Sequence, residues 1–339
     1  MSERYPSRRP MGPFRDEEVG YDYTLPPGAG QIPWIDIHQH GHTASWNDRH
    51  EFDLSGGIAV VLVGGSSGPY RPMDADELRY AWDSTLRQSH AISRSHFFEA
   101  YVALAIHTTR TRTERYEELL EVLPEYAALD EVVAIGETGV SLNNVGAAEA
   151  WSLSEQRTVV REQMRIARDA GLPVLCHTPS RMKSGGSEFV KSKTEGGHSY
   201  ATPASGDDQL DPETAKLDAT RIDVELADEA GLPHEQLVID HAAPEIAPFV
   251  MESTDCYLSF SVGSAIHDIG IGEVAETISE YGPDRIVVDS DVTGMAENRP
   301  FAMKEAILDL LRYGLSPDTV RQVVYENPRE IVGLSELPV

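Results

Sequence analysis

Gln31-Ile32-Pro33-Trp34-Ile35 runs directly into Asp36-Ile37-His38-Gln39-His40. The apolar half reads as a short buried strand, and residues two apart on a strand project to the same face. His38 and His40 therefore present two imidazoles side by side, a pair able to grip one divalent cation. By itself the pair fits equally well one packed core histidine and one surface histidine. Four later stretches break that tie. Glu131-Val132-Val133-Ala134-Ile135-Gly136 leads into Glu137, and Leu172-Pro173-Val174-Leu175-Cys176 leads into His177. Gln236-Leu237-Val238-Ile239-Asp240 leads into His241, and Arg285-Ile286-Val287-Val288 leads into Asp289-Ser290-Asp291. An α/β barrel carries its active site at the carboxyl ends of its strands. Hydrophobic strands that stop in turn at His-x-His, Glu, His, His and Asp match that layout.

Outward from these strands the signals alternate. Strand one covers about 32–38 and strand two 57–63, continuously apolar as parallel barrel strands tend to be. Strand three covers 98–106 and ends at His107, and strand seven covers 256–261. Helices are predicted at about 74–94, 113–129, 152–170, 271–281, 299–313, 316–326 and 328–333. The third opens with Ser152-Leu153-Ser154-Glu155, a capping-box pattern, and stops at Gly171, a suitable residue just past a helix end. A further helix starts at Asp211-Pro212 and ends near Gly231. Eight strands alternating with helices predict a (β/α)8 TIM barrel in preference to an open doubly wound sheet. No Gly-x-Gly-x-x-Gly or phosphate-loop motif supports a nucleotide-cofactor fold.

Residues 1–30 are rich in Pro, Gly, Arg and charge and read as an irregular N-terminal arm. Residues 31–339 form the single barrel domain, since no linker separates two cores. Residues 181–211 are polar and Gly/Ser-rich, too long for an ordinary connection. On a barrel plan that segment rises beside the strand ends and shapes substrate choice. No stretch approaches the roughly 20 apolar residues of a membrane span. With no signal-peptide-like segment at the N-terminus, the expected location is cytoplasmic, without a membrane partner. Cys176 and Cys256 fall in predicted strands and read as reduced core residues.

Twenty-eight basic and 56 acidic side chains leave a net charge of −28, and only five of the basic ones are lysine. Such a field disfavours adhesion to nucleic acid or anionic lipid at low salt. An acidic, lysine-poor surface resembles proteins of salt-in halophiles, where a Debye length of about 3 Å at molar salt screens self-repulsion. The charge thus gives nucleic acid no support as a partner without removing it from the candidate substrates.

The chain resembles the TatD family of metal-dependent hydrolases, within the amidohydrolase superfamily, over roughly residues 32–334. Ile35-Asp36-Ile37-His38-Gln39-His40, Ala134-Ile135-Gly136-Glu137-Thr138-Gly139 and Pro173-Val174-Leu175-Cys176-His177 carry the resemblance. His241, Asp291, the terminal Asn327-Pro328-Arg329-Glu330-Ile331-Val332-Gly333-Leu334 and Ala103-Leu104-Ala105-Ile106-His107 add to it. It implies two divalent ions, drawn from Zn, Mn, Mg or Co. His38, His40 and Asp291 would hold the first, His177 and His241 the second, and Glu137 would bridge them. Asp291 would orient the attacking water or take its proton. A related subclass bridges its metals with a carboxylated lysine, but all five lysines lie off the predicted strand ends.

Other polar residues rank below these. His107, Thr178 and His42 are expected to touch substrate. Asp289 competes with Asp291 and is assigned to support it, and Asp240 is expected to point away from His241. The chain departs from the family at Val140-Ser141, Pro179, Ala242-Ala243-Pro244-Glu245 and Val292-Thr293. The ligand positions match while several substrate-side positions do not. The first reading is a phosphoester hydrolase, DNA 3′ ends included. The second is a hydrolase of a lactone, amide or other small metabolite, and the third a metal-binding partner protein without catalysis. The sequence leaves the oligomeric state open.

Overall fold

The computed structural model describes residues 15–16, 20–21, 29–40, 45–64, 72–108, 115–140, 151–179, 215–263, 269–293 and 299–337. The 181–211 segment, the Asp211-Pro212 helix start and His42 lie outside the described residues. Within the N-terminal arm, Arg15–Asp16 and Gly20–Tyr21 pair antiparallel.

Eight parallel strands form the wall of a (β/α)8 barrel. They are β1 (Trp34–His40), β2 (Gly57–Gly64), β3 (Glu99–Leu104), β4 (Val132–Thr138), β5 (Val174–His177), β6 (Leu237–Asp240), β7 (Tyr257–Ser261) and β8 (Ile286–Asp289). They hydrogen-bond in sequence order. The wall closes through the two-residue strand Val292–Thr293, which pairs in parallel with β1 in the register Val292 to Gln39 and Thr293 to His40. Ala59 to Val63 of β2 are buried because helices cover the outer face and side chains fill the barrel.

Helices α2 (Ala75–Ser95), α3 (Tyr116–Ala127), α4 (Leu153–Ala170), α5 (Ala215–Ala230), α7 (Ile271–Tyr281) and α8 (Ala302–Arg312) fall where the periodicity places them. α4 shows both ends of its sequence signature. The Ser152 hydroxyl accepts from the Glu155 N–H while the Glu155 carboxylate accepts from the Ser152 N–H. At the far end Gly171 adopts φ 69° and lets the Leu172 N–H reach the Ala167 carbonyl. An N-cap of this kind contributes about 1 kcal/mol.

Among the described residues two helices have no counterpart in the sequence reading. α1 (Trp46–Ser55) buries only Phe52 and Ser55, so no apolar stripe announces it. It is held by a capping box between Ser45 and Asp48. α6 (Ala247–Ser253) is a seven-residue helix, too short to show a period. β4 also differs, because it continues through Glu137 and Thr138 rather than stopping before them. Its pairing with β5 shifts register past Gly136 and resumes at Thr138 opposite Cys176. The C-terminal Asn327 donates to the carbonyls of Pro283 and Ile286, 2.7 Å each, and so pins the last helical turns beneath β8.

Candidate metal centre

His38 and His40 leave the same face of β1, as alternation requires, and their Nε2 atoms lie 3.4 Å apart. Asp291 Oδ1 faces both, 3.1 Å from His40 Nε2 and 3.5 Å from His38 Nε2. Across the barrel mouth His241 Nε2 and His177 Nδ1 lie 3.1 Å apart. Glu137, at the end of β4, reaches both groups. Its Oε1 lies against His177 Nδ1 and 2.9 Å from His241 Nε2. Its Oε2 lies 3.3 Å from His107 Nε2 and 3.9 Å from His38 Nε2. The structure thus brings together His38, His40, Glu137, His177, His241 and Asp291 from five strand ends. His107 joins them through Glu137, with its ring 4.9 Å from that of His177.

The donor set fits a cation. Asp240 on β6 accepts from His38 Nδ1, which leaves the lone pair of Nε2 directed at Asp291, His40 and Glu137. Ser261 donates its hydroxyl proton to Asp240 Oδ1, so it accepts from His241 Nδ1 at 2.9 Å. The lone pair of His241 Nε2 then meets the Glu137 carboxylate. Lone pairs and carboxylate oxygens converging in a buried site repel unless a positive charge lies among them. Two ligand nitrogens each about 2.0–2.1 Å from a tetrahedral ion stand roughly 3.3 Å apart. The 3.4 and 3.1 Å separations lie on either side of that value.

The titration behaviour reports the same field. Burial pulls His38 towards neutrality, but the Asp240 and Asp291 carboxylates outweigh it and hold the imidazole well above its usual range. Burial pushes Glu137 up, and His177 and His107 more than reverse that, holding it well below the carboxylate range. A proton on His38 answers the surplus of carboxylates, and a divalent cation would answer it too.

Backbone geometry marks two candidate ligand positions. His241 (φ 53°) and Asp291 (φ 42°) are the non-glycine residues with positive φ among the described residues. Such conformations cost on the order of 1–3 kcal/mol and recur where side chains must be aimed. Gly139 (φ 149°) allows another close approach, since a Cβ there would lie 2.2 Å from the His177 carbonyl.

Asp289 takes no place in the cluster. It is buried and accepts from Ser259, and burial followed by repulsion from Asp240 pushes its pKa well above the usual range. Asp240 does not point away from His241: its Oδ1 lies 3.9 Å from His241 Nδ1 and accepts from the His241 N–H at 2.8 Å, while its Oδ2 accepts from His38 Nδ1. Thr178 is fully buried. Its hydroxyl donates to the Asp240 carbonyl at 2.6 Å and accepts from Lys216 at 2.9 Å, which commits it to the barrel wall.

Sequence reasoning missed three supports. Alternation set Asp240 on the face opposite His241, but the strand ends at Asp240 and His241 turns at φ 53°, so both side chains meet at the barrel mouth. Gln163 on α4 donates to the Ile106 carbonyl and Thr138 hydroxyl and accepts from the Ile106 N–H, so it ties the neighbours of His107 and Glu137 together. Lys216 lies on a helix, and nothing local tells that its amine reaches a strand end.

The fold and this candidate ligand cluster are those expected of a metal-dependent hydrolase barrel. The chain belongs to the TatD-related DNase family, whose model matches residues 35–333. An uncharacterized metal-dependent hydrolase of Methanocaldococcus jannaschii is 23% identical over 295 residues, covering 87% of this chain and 98% of that protein. The TatD-like protein of Archaeoglobus fulgidus superimposes with a TM-score of 0.59 at 20% identity, covering 88% of this chain and 100% of that one. The L-hydantoinase of Arthrobacter aurescens shares the fold at a TM-score of 0.53 and 12% identity, covering 90% and 71% of the two chains. Among the described residues no helix is long and apolar enough to cross a membrane.

Proposed function

We propose that this protein is a phosphoester hydrolase whose centre would take two divalent cations, with Glu137 placed to serve both. The observation that carries the reading is the division of Glu137. One of its oxygens serves His177 and His241, and the other faces His107 and His38. His38, His40 and Asp291 would hold one ion, and His177 and His241 the other. Ions so held would supply Lewis-acid chemistry, acidifying a water and polarising the oxygen on which charge develops.

The protein's own groups do the rest. Asp240 keeps His38 in the tautomer that offers Nε2 inward, and Ser261 does the same for His241. Asp291 orients the attacking water and takes its proton. The family description, a TatD-related DNase, supports a phosphoester such as DNA as the substrate class. A lactone or amide substrate on the same centre is the competing reading, favoured by the net charge of −28, which repels polyanions. Phosphodiester, phosphomonoester and lactone panels with Mn, Mg, Zn or Co, at low and molar salt, decide between them. Turnover of phosphoesters that Asp291→Asn abolishes supports the first reading. Turnover confined to lactones or amides replaces it.

A further inference from the structure

Lys216 lies on the first turn of α5 but is buried, 6% exposed. Its Nζ donates to the Thr178 hydroxyl at 2.9 Å, the Pro179 carbonyl at 2.8 Å and the His241 carbonyl at 2.6 Å. Three acceptors need three donors, which an ammonium has and a neutral amine lacks. The Thr178 hydroxyl gives its own proton to the Asp240 carbonyl, so it accepts from Lys216. One side chain thus joins the end of β5, just past His177, to His241 at the end of β6. His241 is also a residue held at positive φ, and its carbonyl is one that Lys216 grips.

We propose that Lys216 is a positioning residue for the second cation. By clamping Thr178 and Pro179 to His241 it sets the spacing between His177 Nδ1 and His241 Nε2, and with it the affinity of that half of the centre. The inference rests on the two-cation reading above. A charge effect would act with the opposite sign, because an ammonium near the site repels a cation. Removing the amine would then tighten binding, whereas removing a clamp loosens it.

Mn2+ binding to the metal-free protein, followed by calorimetry, tests this. Wild type should show two ions. In the His38→Ala/His40→Ala background only the His177–His241 step should remain. There Lys216→Met should weaken it about 10–100-fold, the usual effect of removing a group that holds a ligand. In the otherwise wild-type chain Lys216→Met should leave the other step unchanged. Thr178→Val should weaken the same step and Thr178→Ser should restore it. An unchanged or tighter step in Lys216→Met overturns the proposal, as does an equal loss at both steps. If Lys216→Met does not fold, Thr178→Val decides, and wild-type binding by that variant overturns the proposal. One ion or none in wild type instead overturns the two-cation reading, before any variant is measured.

Discussion

The backbone N–H of Asp291 donates to the carbonyl of His38 at 2.9 Å, so the bond that closes the barrel joins two candidate ligand residues. Just before it the Ser290 N–H donates to Asp36 Oδ1 at 3.0 Å, and just after it Val292 pairs with Gln39. The last strand and the first are thus sewn together by the residues that aim the ligands. On the proposed ligand set, cation binding and barrel closure would share one set of contacts.

Metal should therefore stabilise the fold. A ligand that binds only the folded state adds about 2.7 kcal/mol at one hundred times its Kd. Dialysis against a chelator should lower the melting temperature by several degrees, and adding back Mn2+ or Zn2+ should restore it. Equal melting with and without metal would show that the cluster does not take a cation.

Asp240 holds the His38 ring by Nδ1. Asp240→Ala should release the ring and cost about 10–100-fold in metal affinity. Asp240→Asn should cost less, since its amide oxygen still accepts from Nδ1–H. Titration of both variants checks the order, and wild-type affinity in Asp240→Ala refutes the orienting role.

The two carboxylates after β8 should separate cleanly. Asp291→Asn should lower turnover about 10²–10⁴-fold with the fold intact, as expected for loss of a general base. Asp289 is buried and its carboxylate accepts from Ser259, and Asp289→Asn should retain most of the turnover. The reverse pattern of kcat would give Asp289 the catalytic role.

Asp223 on α5 offers a pH test away from the centre. It is fully buried and accepts from the Val140 N–H at 3.0 Å. Burial pushes its pKa well above 3.8, against the opposing pull of Val140, Cys176 and Arg157. A raised carboxyl pKa means that the folded state keeps the proton after the unfolded chain has lost it. Stability from this group is therefore full below about pH 4 and declines as pH rises towards the folded-state value. Asp223→Asn keeps the neutral form at every pH. Its melting temperature relative to wild type should climb from pH 4 to pH 7, and a difference that stays constant or shrinks would refute the assignment.

The net charge of −28 with five lysines predicts a salt-dependent fold. Raising KCl from about 0.1 M to 1 M shortens the Debye length from roughly 10 to 3 Å and relieves self-repulsion. The melting temperature should rise over that range. A flat or falling curve would remove the halophilic reading of the surface.

The sequence by itself determined the barrel and which residues stand at its strand ends. Parallel strands buried on both faces read as apolar runs, and a polar residue ending each run stands out against them, as at His177 and His241. Gly171 and the Ser152–Glu155 pair bounded α4 for a similarly local reason, because capping depends on residues within one turn. Where burial was slight, as in α1, the pattern carried no signal. Tertiary structure decided everything that depends on approach across the barrel. Asp240 reaches His38, and Glu137 divides its oxygens between two histidine groups. Gln163 and Lys216 reach strand ends from helices. Those contacts join residues up to 202 positions apart, as in Asp240 with His38. No local periodicity encodes them, because they follow from which strand ends the closed barrel sets face to face.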